Sequence, residues 1–183
     1  MRGVKLSVGG SVIGKAKTWA YPDGARLGLY KIPTYELTVA GTNAKGKRVS
    51  KNFEVMRFGV QFKEGFASPK VVGLADKQTH VIKKWIPTYT VHSADSLEKG
   101  AWQVYDSFLI HDGPDDPSIE EYASIGCVEI CNGPQGFDSF NDLIISLSGS
   151  SKTQRGEQLL EIGSSGQLSI SYEQAKRPAL ERW

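Results

Sequence analysis

One stretch in the C-terminal half carries residue types that could form a nucleophilic site. An apolar, strand-like run ends in His111, and Cys127 follows 16 residues later, directly after Gly126. A thiol needs a neighbouring base or positive charge to become a thiolate near neutral pH, and an imidazole can supply either. The backbone N–H groups of Gly126 and Cys127 could then bind an oxyanion, because glycine permits unusual dihedral angles. The same spacing also fits a buried, inert Cys127 with His111 as a capping residue.

The residues around Cys127 extend this pattern. After His111 comes a loop of 12 residues, 112–123, and then the run Ser124-Ile125-Gly126-Cys127-Val128. The segment resembles the catalytic motif of YkuD-type L,D-transpeptidases, in which a histidine and a loop precede a Ser/Thr-His-Gly-Cys-aliphatic-Arg/Asn signature. Ser124, Gly126, Cys127 and Val128 match this signature position for position, and His111 matches the upstream histidine.

Three departures from the motif bear on the outcome of the reaction. The second histidine of the motif is Ile125 here, the usual Arg or Asn is Glu129, and the loop before Ser124 is slightly short. The first departure spares the nucleophile and the base, whereas the other two affect substrate choice. In a strand, Glu129 would share a face with Cys127, and an anion there disfavours a thiolate. We therefore expect Glu129 either to turn away or to pair with a cation.

The resemblance implies a mostly β fold, namely an L,D-transpeptidase-like (YkuD) β-sandwich with one or two short helices. It also implies acyl chemistry on peptidoglycan stem peptides without a cofactor. A metal site is not expected, because none of the three histidines, His80, His92 and His111, pairs at ligand spacing with either cysteine. Cys127 would attack the carbonyl that follows the L-centre of meso-diaminopimelate and form a thioester. An amine acceptor then gives cross-linking or D-amino-acid exchange, and water gives carboxypeptidase activity. His111 would hold the thiolate and deliver protons to the leaving amine.

Other residues near the motif are candidates for supporting roles. Ser124 is expected to support the site, although an ordinary turn serine is an equal alternative. Glu129, Asp112 and Tyr105 are candidates for contact with substrate. Asp112 opens an acidic loop without a basic residue, which fits either a solvated surface or a lid that attracts the ammonium group of diaminopimelate. Tyr105 could line the cleft, although aromatic strand residues more often lie in the core.

Hydrophobic periodicity predicts the elements that must position this site. Alternation over Tyr35–Val39, continued by Phe53–Val55 after a turn-like segment, predicts a hairpin. Helical spacing predicts a helix over Phe137–Leu147 that stops at Gly149. Further strands are predicted at Leu27–Ile32, Thr79–Ile86, Thr88–His92, Trp102–His111 and Leu168–Tyr172.

Length and cysteine spacing indicate one domain without disulfide bonds. The 183 residues fit a single L,D-transpeptidase-like catalytic domain, 1–183, with a motif core at about 100–149. The polar, Gly/Ser-rich segment 149–167 is predicted to be a flexible connection, and 168–183 a final strand and tail. In one strand, the Cα atoms of Cys127 and Cys131 would lie about 13 Å apart, too far for a disulfide.

Charge and hydropathy limit the partners and the location. A net charge of +2 supplies no strong field for nucleic acid or a membrane surface. No apolar run exceeds three residues, whereas a membrane helix needs about 20 and a secretory signal about 7 to 15. Because the implied substrate lies outside the cytoplasmic membrane, we expect delivery to the periplasm or secretion, as for a type VI secretion effector or a phage-borne enzyme.

The candidate partners are therefore peptidoglycan stem peptides and, for a delivered effector, an immunity protein or a secretion-system component. The alternative function is a non-catalytic cell-wall-binding or structural domain that kept the fold. Retention of both His111 and Cys127 argues against that alternative, because binding alone would need neither residue.

Overall fold

The computed structural model describes residues 1–91 and 99–183, which form a mostly β structure with two short α-helices. The strands are β1 Val4–Val8, β2 Gly14–Thr18, β3 Tyr30–Thr42, β4 Arg48–Met56, β5 Gly59–Gln61, β6 Lys70–Val72, β7 Gln78–Val81, β8 Lys84–Ile86, β9 Ala101–Tyr105, β10 Phe108–Asp112, β11 Val128–Ile130 and β12 Leu168–Tyr172. The helices are α1 Gly136–Ser148 and α2 Arg155–Ser164. The predicted class, mostly β with one or two short helices, is confirmed.

Ten of the strands form one curled sheet. Its order is β7-β12-β1-β3-β4-β11-β10-β9-β8, with β2 paired to the first part of β3. The strands at the two ends of this order, β7 and β8, are separated in the chain only by Ile82 and Lys83. Two residues cannot cross a flat ten-stranded sheet, because adjacent strands lie about 4.8 Å apart. The short link therefore requires the sheet to curl until its ends approach each other.

The main core lies between this sheet and helix α1. Strand β1 buries every second residue, as does β12, so that one face of each strand packs inward. Helix α1 covers that face with Phe137, Phe140 and Ile144, all fully buried. Each buried side chain of this size stabilises the fold by about 1.5–3 kcal/mol. The helix ends at Gly149 in the left-handed conformation, as the sequence predicts.

Two predicted strands are each divided in the structure. The single strand predicted over Trp102–His111 is a hairpin of β9 and β10, because Asp106 adopts a positive φ of 50° and turns the chain. The strand predicted over Thr79–Ile86 is β7 and β8, which pair with different partners, β12 and β9. Apolar residues continue on both sides of each break, so the hydrophobic pattern alone predicts one strand where the structure has two.

Two other predicted strands differ in extent. The strand predicted over Leu27–Ile32 begins only at Tyr30, because Leu27 ends a short 3₁₀ turn, Ala25–Leu27. The strand predicted over Thr88–His92 is absent over Thr88–Tyr89, where the chain turns, and His92 lies outside the described residues. The hairpin predicted from Tyr35 onwards is confirmed as β3 and β4.

The prediction of a flexible connection over 149–167 is wrong, because the segment contains helix α2. Leu159 and Ile162 are buried at helical spacing, which anchors the helix although most of its surface is polar. Gly163 lies so close to β8 that a Cβ there would come within 2.4 Å of the Trp85 nitrogen. Gly163, which contributed to the prediction of a loop, instead allows helix α2 to pack closely on strand β8. Neither α1 nor α2, the helices of the described part of the chain, has the length and hydropathy to cross a membrane.

Candidate active site

Two adjacent parallel strands, β10 and β11, carry the candidate residues. Ile110 lies opposite Val128 in the main core, and His111 lies opposite Glu129. Because side chains alternate along a strand, His111 and Glu129 point to the other face, and Cys127 precedes β11 on that same face. Strand spacing and rise place the Cα atoms of His111 and Cys127 about 8 Å apart. The sheet thus puts the predicted nucleophile and base on one surface.

The turn before Cys127 depends on glycine. Gly126 has a φ of 98°, and a Cβ there would come within 2.7 Å of the Cα of Gly73. Its N–H donates a hydrogen bond of 3.3 Å to the Oγ of buried Ser124. Ser124 therefore holds the backbone that presents Cys127. The Gly126 N–H, which the sequence suggests as an oxyanion donor, is engaged by this hydroxyl.

The thiol of Cys127 is covered, which disfavours its ionisation. Its residue is 3% exposed and packs with Ala101, Leu109 and the half-buried Tyr89. Burial raises the pKa of Cys127 to about 12, and the charge of Glu129 adds to this rise, whereas the backbone of Leu109 opposes it. Burial therefore favours the thiol form of Cys127 over the thiolate at neutral pH.

The His111 ring is fully buried and its surroundings fix its orientation. Its Nδ1 lies 2.7 Å from the backbone oxygen of Asp112, and its Nε2 lies 3.5 Å from Oε1 of Glu129. The ring of Tyr89 packs against it with a centroid distance of 5.2 Å. Tyr89 thus touches both the imidazole and the group of residues around Cys127. The sequence pattern placed Tyr89 in a predicted strand, Thr88–His92, and gave it no role in the site, whereas in the structure it follows the turn at Pro87–Thr88.

Glu129 faces His111 rather than solvent. Its side chain is fully buried, and its Oε1 lies 3.5 Å from Nε2 of His111, which is a cation only when it is protonated. Burial raises the pKa of this carboxyl well above its usual range, and the nearby charge of Asp112 adds to the effect, whereas the Ser124 hydroxyl opposes it. Glu129 was expected to contact substrate, and here it lies behind the surface in contact with the imidazole.

Asp112 lies at the edge of the site. Its Oδ2 is 3.4 Å from Nζ of Lys99, and burial raises the pKa of the carboxyl while Lys99 lowers it. With Lys99 and Tyr122 it lines a cavity of about 230 Å³. In the acidic loop beyond, Glu120 accepts a hydrogen bond from the Asp115 N–H, so part of this negative charge organises the loop itself.

Tyr105 and Cys131 take no part in the arrangement of His111 and Cys127. Tyr105 is 50% exposed and stacks on His80, with ring centroids 5.0 Å apart, instead of lining a cleft beside Cys127. Cys131 is buried, and its Sγ donates to the backbone oxygen of Glu129 at 3.3 Å. Both cysteines are free thiols, as their spacing predicts.

One buried arginine supports the turn from behind. Arg57 is fully buried and donates hydrogen bonds to four backbone oxygens, those of Gly9, Leu74, Ala75 and Glu173. Burial lowers the pKa of its guanidinium, and nearby Tyr172 opposes that effect. Through Leu74 and Ala75 it fixes the segment next to Gly73, on which Gly126 packs. Sequence reasoning missed this residue, because carbonyl partners so distant in the chain leave no local pattern.

Comparison with known proteins adds no relative. No family model, no curated protein and no solved structure matches this chain.

Proposed function

We propose that this protein is a cysteine enzyme of L,D-transpeptidase type that acts on peptidoglycan stem peptides in the periplasm. The observation that carries the proposal is the shared face of β10 and β11, where Cys127 follows a positive-φ glycine and His111 lies on the adjacent strand. Acyl transfer by a thiol needs a fixed nucleophile with an imidazole nearby. A YkuD-type sandwich is the fold that we propose for the curled sheet.

The proposed reaction has two steps. The Cys127 thiol loses its proton to His111, and its sulfur attacks the carbonyl carbon after the L-centre of meso-diaminopimelate. The C–N bond breaks, the leaving amine takes up the proton from His111, and a thioester remains. An amine or water then attacks the thioester carbonyl and gives its proton to the imidazole. The C–S bond breaks, the acyl group stays on the acceptor, and the imidazole returns the proton to the Cys127 sulfur.

The buried thiol sets a condition on this reaction. Cys127 is 3% exposed, so its sulfur must be uncovered before a peptide carbonyl can reach it. Tyr89 is half-buried and packs against the His111 ring and against the group of residues that contains Cys127, so its displacement would open both groups together. Substrate binding must also favour the thiolate, because the resting pKa of Cys127 lies at about 12.

The same burial favours a second candidate function. Structural cysteines are buried and unreactive, whereas catalytic cysteines are partly exposed beside positive charge. A non-catalytic domain that binds the cell wall, or serves a structural role, would tolerate Cys127 as it stands here. Product formation separates the two functions.

The test is incubation with purified muropeptides and identification of the products by mass spectrometry. The wild-type protein should convert tetrapeptide stems by exchange, cross-linking or hydrolysis. Cys127→Ala should abolish conversion, and the matched variant Cys131→Ala, which also removes a buried free thiol, should retain most of it. Absence of products from the folded wild-type protein would exclude the catalytic proposal and leave the binding domain. Equal activity of Cys127→Ala would exclude Cys127 as the nucleophile.

Delivery is a further part of the proposal. An enzyme of this kind that crosses into a competing cell, for example as a type VI secretion effector, would be paired with an immunity protein in the producing cell.

A further inference from the structure

A cavity of about 520 Å³ lies between the first strands of the sheet and the C-terminal segment. The start of β2 and the first part of β3 form one side of it, and residues 176–181, which follow β12, form the other. Binding sites for small molecules have volumes of about 300–1,000 Å³, so the cavity is large enough for a ligand. None of the described residues that line it is His111 or belongs to the group around Cys127, so it is a separate place on the molecule.

The lining of this cavity carries an excess of positive charge. Lys15, Lys31, Lys176 and Arg177 line it, and Glu181 is the one acidic residue among the described lining residues. The excess of three positive charges is larger than the net charge of +2 of the whole chain. A concave surface lined by charges of one sign concentrates ions of the opposite sign. The cavity therefore favours an anion.

One of these four cations has a carboxylate partner. The Nζ of Lys31 lies 3.1 Å from Oε1 of Glu181. The other three cations have no carboxylate within ion-pair distance in the part of the chain that the structure describes. The Nζ of Lys15 lies 5.0 Å from the centroid of the Trp183 ring, a contact that orients an ammonium group without neutralising it. Three positive charges are thus left for a ligand.

The backbone of both walls is held in place by the protein itself. The N–H of Lys31 donates to the backbone oxygen of Glu181 at 2.8 Å, and the N–H of Trp183 donates to that of Leu29 at 3.0 Å. These hydrogen bonds join the C-terminal segment to β3 and the turn before it. The guanidinium of Arg177 donates to two further backbone oxygens, one in β6 and one directly after it. Because the walls are already formed, little ordering of the backbone opposes binding.

Apolar groups lie between the charged ones and narrow the class of anion. The apolar lining residues are Val12, Ile32, Pro33, Pro178 and Ala179. A bare inorganic anion leaves these groups in contact with water, whereas an apolar substituent on the anion covers them. A phosphate monoester carries a charge of about −1.5 to −2 at pH 7, so three cations attract it more strongly than they attract a carboxylate.

We infer that this cavity binds a small organic phosphate monoester, whose phosphate group is attracted by Lys15, Lys176 and Arg177 and whose apolar part lies against Pro178 and Ala179. Lysine and arginine are the side chains that bind phosphate oxygens most strongly. The inference is independent of the proposed function, because the residues that acyl transfer uses lie elsewhere.

The test is calorimetric titration of the intact protein with phenyl phosphate. At a salt concentration of about 50 mM we expect a Kd of about 100 µM, and at about 500 mM a Kd about tenfold higher, because salt screens the charges. Benzoate, which has one charge, and inorganic phosphate, which has no apolar part, should each bind about tenfold more weakly. Benzylammonium, which has the opposite charge, should not bind.

Substitutions of exposed lysines locate the site. Lys15→Gln should weaken binding of phenyl phosphate about fivefold, and the charge reversal Lys176→Glu about 20-fold. Lys45→Gln, which removes an exposed lysine from the turn at the far end of β3, is the matched control and should leave the Kd unchanged. In amide NMR spectra, phenyl phosphate should shift the signals of Gly14 and Ala179 and not that of Cys127.

Three results would overturn the inference. They are failure of phenyl phosphate to bind at low salt, equal affinity in Lys176→Glu, and amide shifts confined to the surroundings of Cys127. Equal affinity for benzoate or for inorganic phosphate would overturn the assignment of a phosphate monoester. Muropeptide turnover decides the proposed function separately, since neither phenyl phosphate nor these lysines take part in it.

Discussion

The two cysteines show why a residue type alone does not define a nucleophile. Both are buried free thiols, and burial raises the pKa of each. By alternation along the strand both lie on the face that carries His111, but Cys127 alone follows a glycine with positive φ. Cys131 instead donates to a backbone oxygen of its own strand. Backbone geometry, rather than thiol acidity, therefore distinguishes Cys127.

The resting state of Cys127 predicts its labelling behaviour. With a pKa raised to about 12, only a minute fraction of the thiol is ionised at pH 7.5, and that fraction rises about tenfold per pH unit. Alkylation by iodoacetamide, followed by peptide mass spectrometry, should therefore be slow at pH 7.5 and should accelerate steadily to pH 10. Urea-unfolded protein, whose thiols ionise near pH 8.5, is the control. A labelling rate that levels off near pH 7 in the folded protein would contradict the buried thiol.

At the scale of elements, the turn between the acidic loop and β11 determines where the nucleophile lies. Gly126 combines a φ of 98° with contact against Gly73, so any side chain is both strained and obstructed. We expect Gly126→Ala to lower the free energy of unfolding by about 2 kcal/mol or more, and to abolish turnover, because the turn must rearrange. Chemical denaturation and the muropeptide assay measure the two effects.

Gly133 offers the matched control for this turn. Its φ is 78°, and a Cβ there would meet nothing within 4 Å. Gly133→Ala should therefore cost about 1 kcal/mol from backbone strain alone and retain activity. Equal loss of stability in both variants would show that the contact with Gly73 has no energetic effect.

The sequence predicts correctly those helices and strands that are determined by residues close together in the chain. Helix α1 has both an apolar period and a terminating glycine, and β3 and β4 form a hairpin across a short turn, so the sequence alone predicts them. Helix α2 was missed, because its burial depends on the close approach of Gly163 to β8. The parallel pairing of β10 with β11 joins segments separated by 15 residues, and it alone places Glu129 against His111. Sequence reasoning therefore identified the candidate residues of the site but not their contacts.

At the scale of the whole molecule, the curled sheet connects the site to both ends of the described chain. The terminal strands β1 and β12 pair in parallel, and β12 continues to β7, whose chain neighbour β8 borders β9. Arg57 joins Gly9 after β1, Glu173 after β12 and the segment beside Gly73. The turn that presents Cys127 thus rests on structure from the whole chain, so activity in a cell should require the intact domain.

The place of action supplies a test with the intact protein in living cells. Peptidoglycan lies outside the cytoplasmic membrane, so an enzyme that modifies its stem peptides has no polymer substrate in the cytoplasm. Production in a bacterial cytoplasm should therefore leave growth unchanged. Attachment of a periplasmic signal peptide should make the same protein toxic, with altered or depleted stem peptides and with swelling or lysis. Cys127→Ala should remove this toxicity, because the mechanism needs the sulfur and not merely a bound protein.

Growth curves of four strains measure the effect: cytoplasmic and exported forms, each with and without Cys127. Exported Cys131→Ala is the matched control for loss of a buried thiol, and it should remain toxic. Muropeptide profiles of the same cultures connect growth to chemistry, since the toxic strains alone should show changed stem peptides. Toxicity of the cytoplasmic form would indicate a cytoplasmic target. Toxicity of exported Cys127→Ala would indicate binding without catalysis, and either result would exclude an enzyme that acts on the cell wall through Cys127.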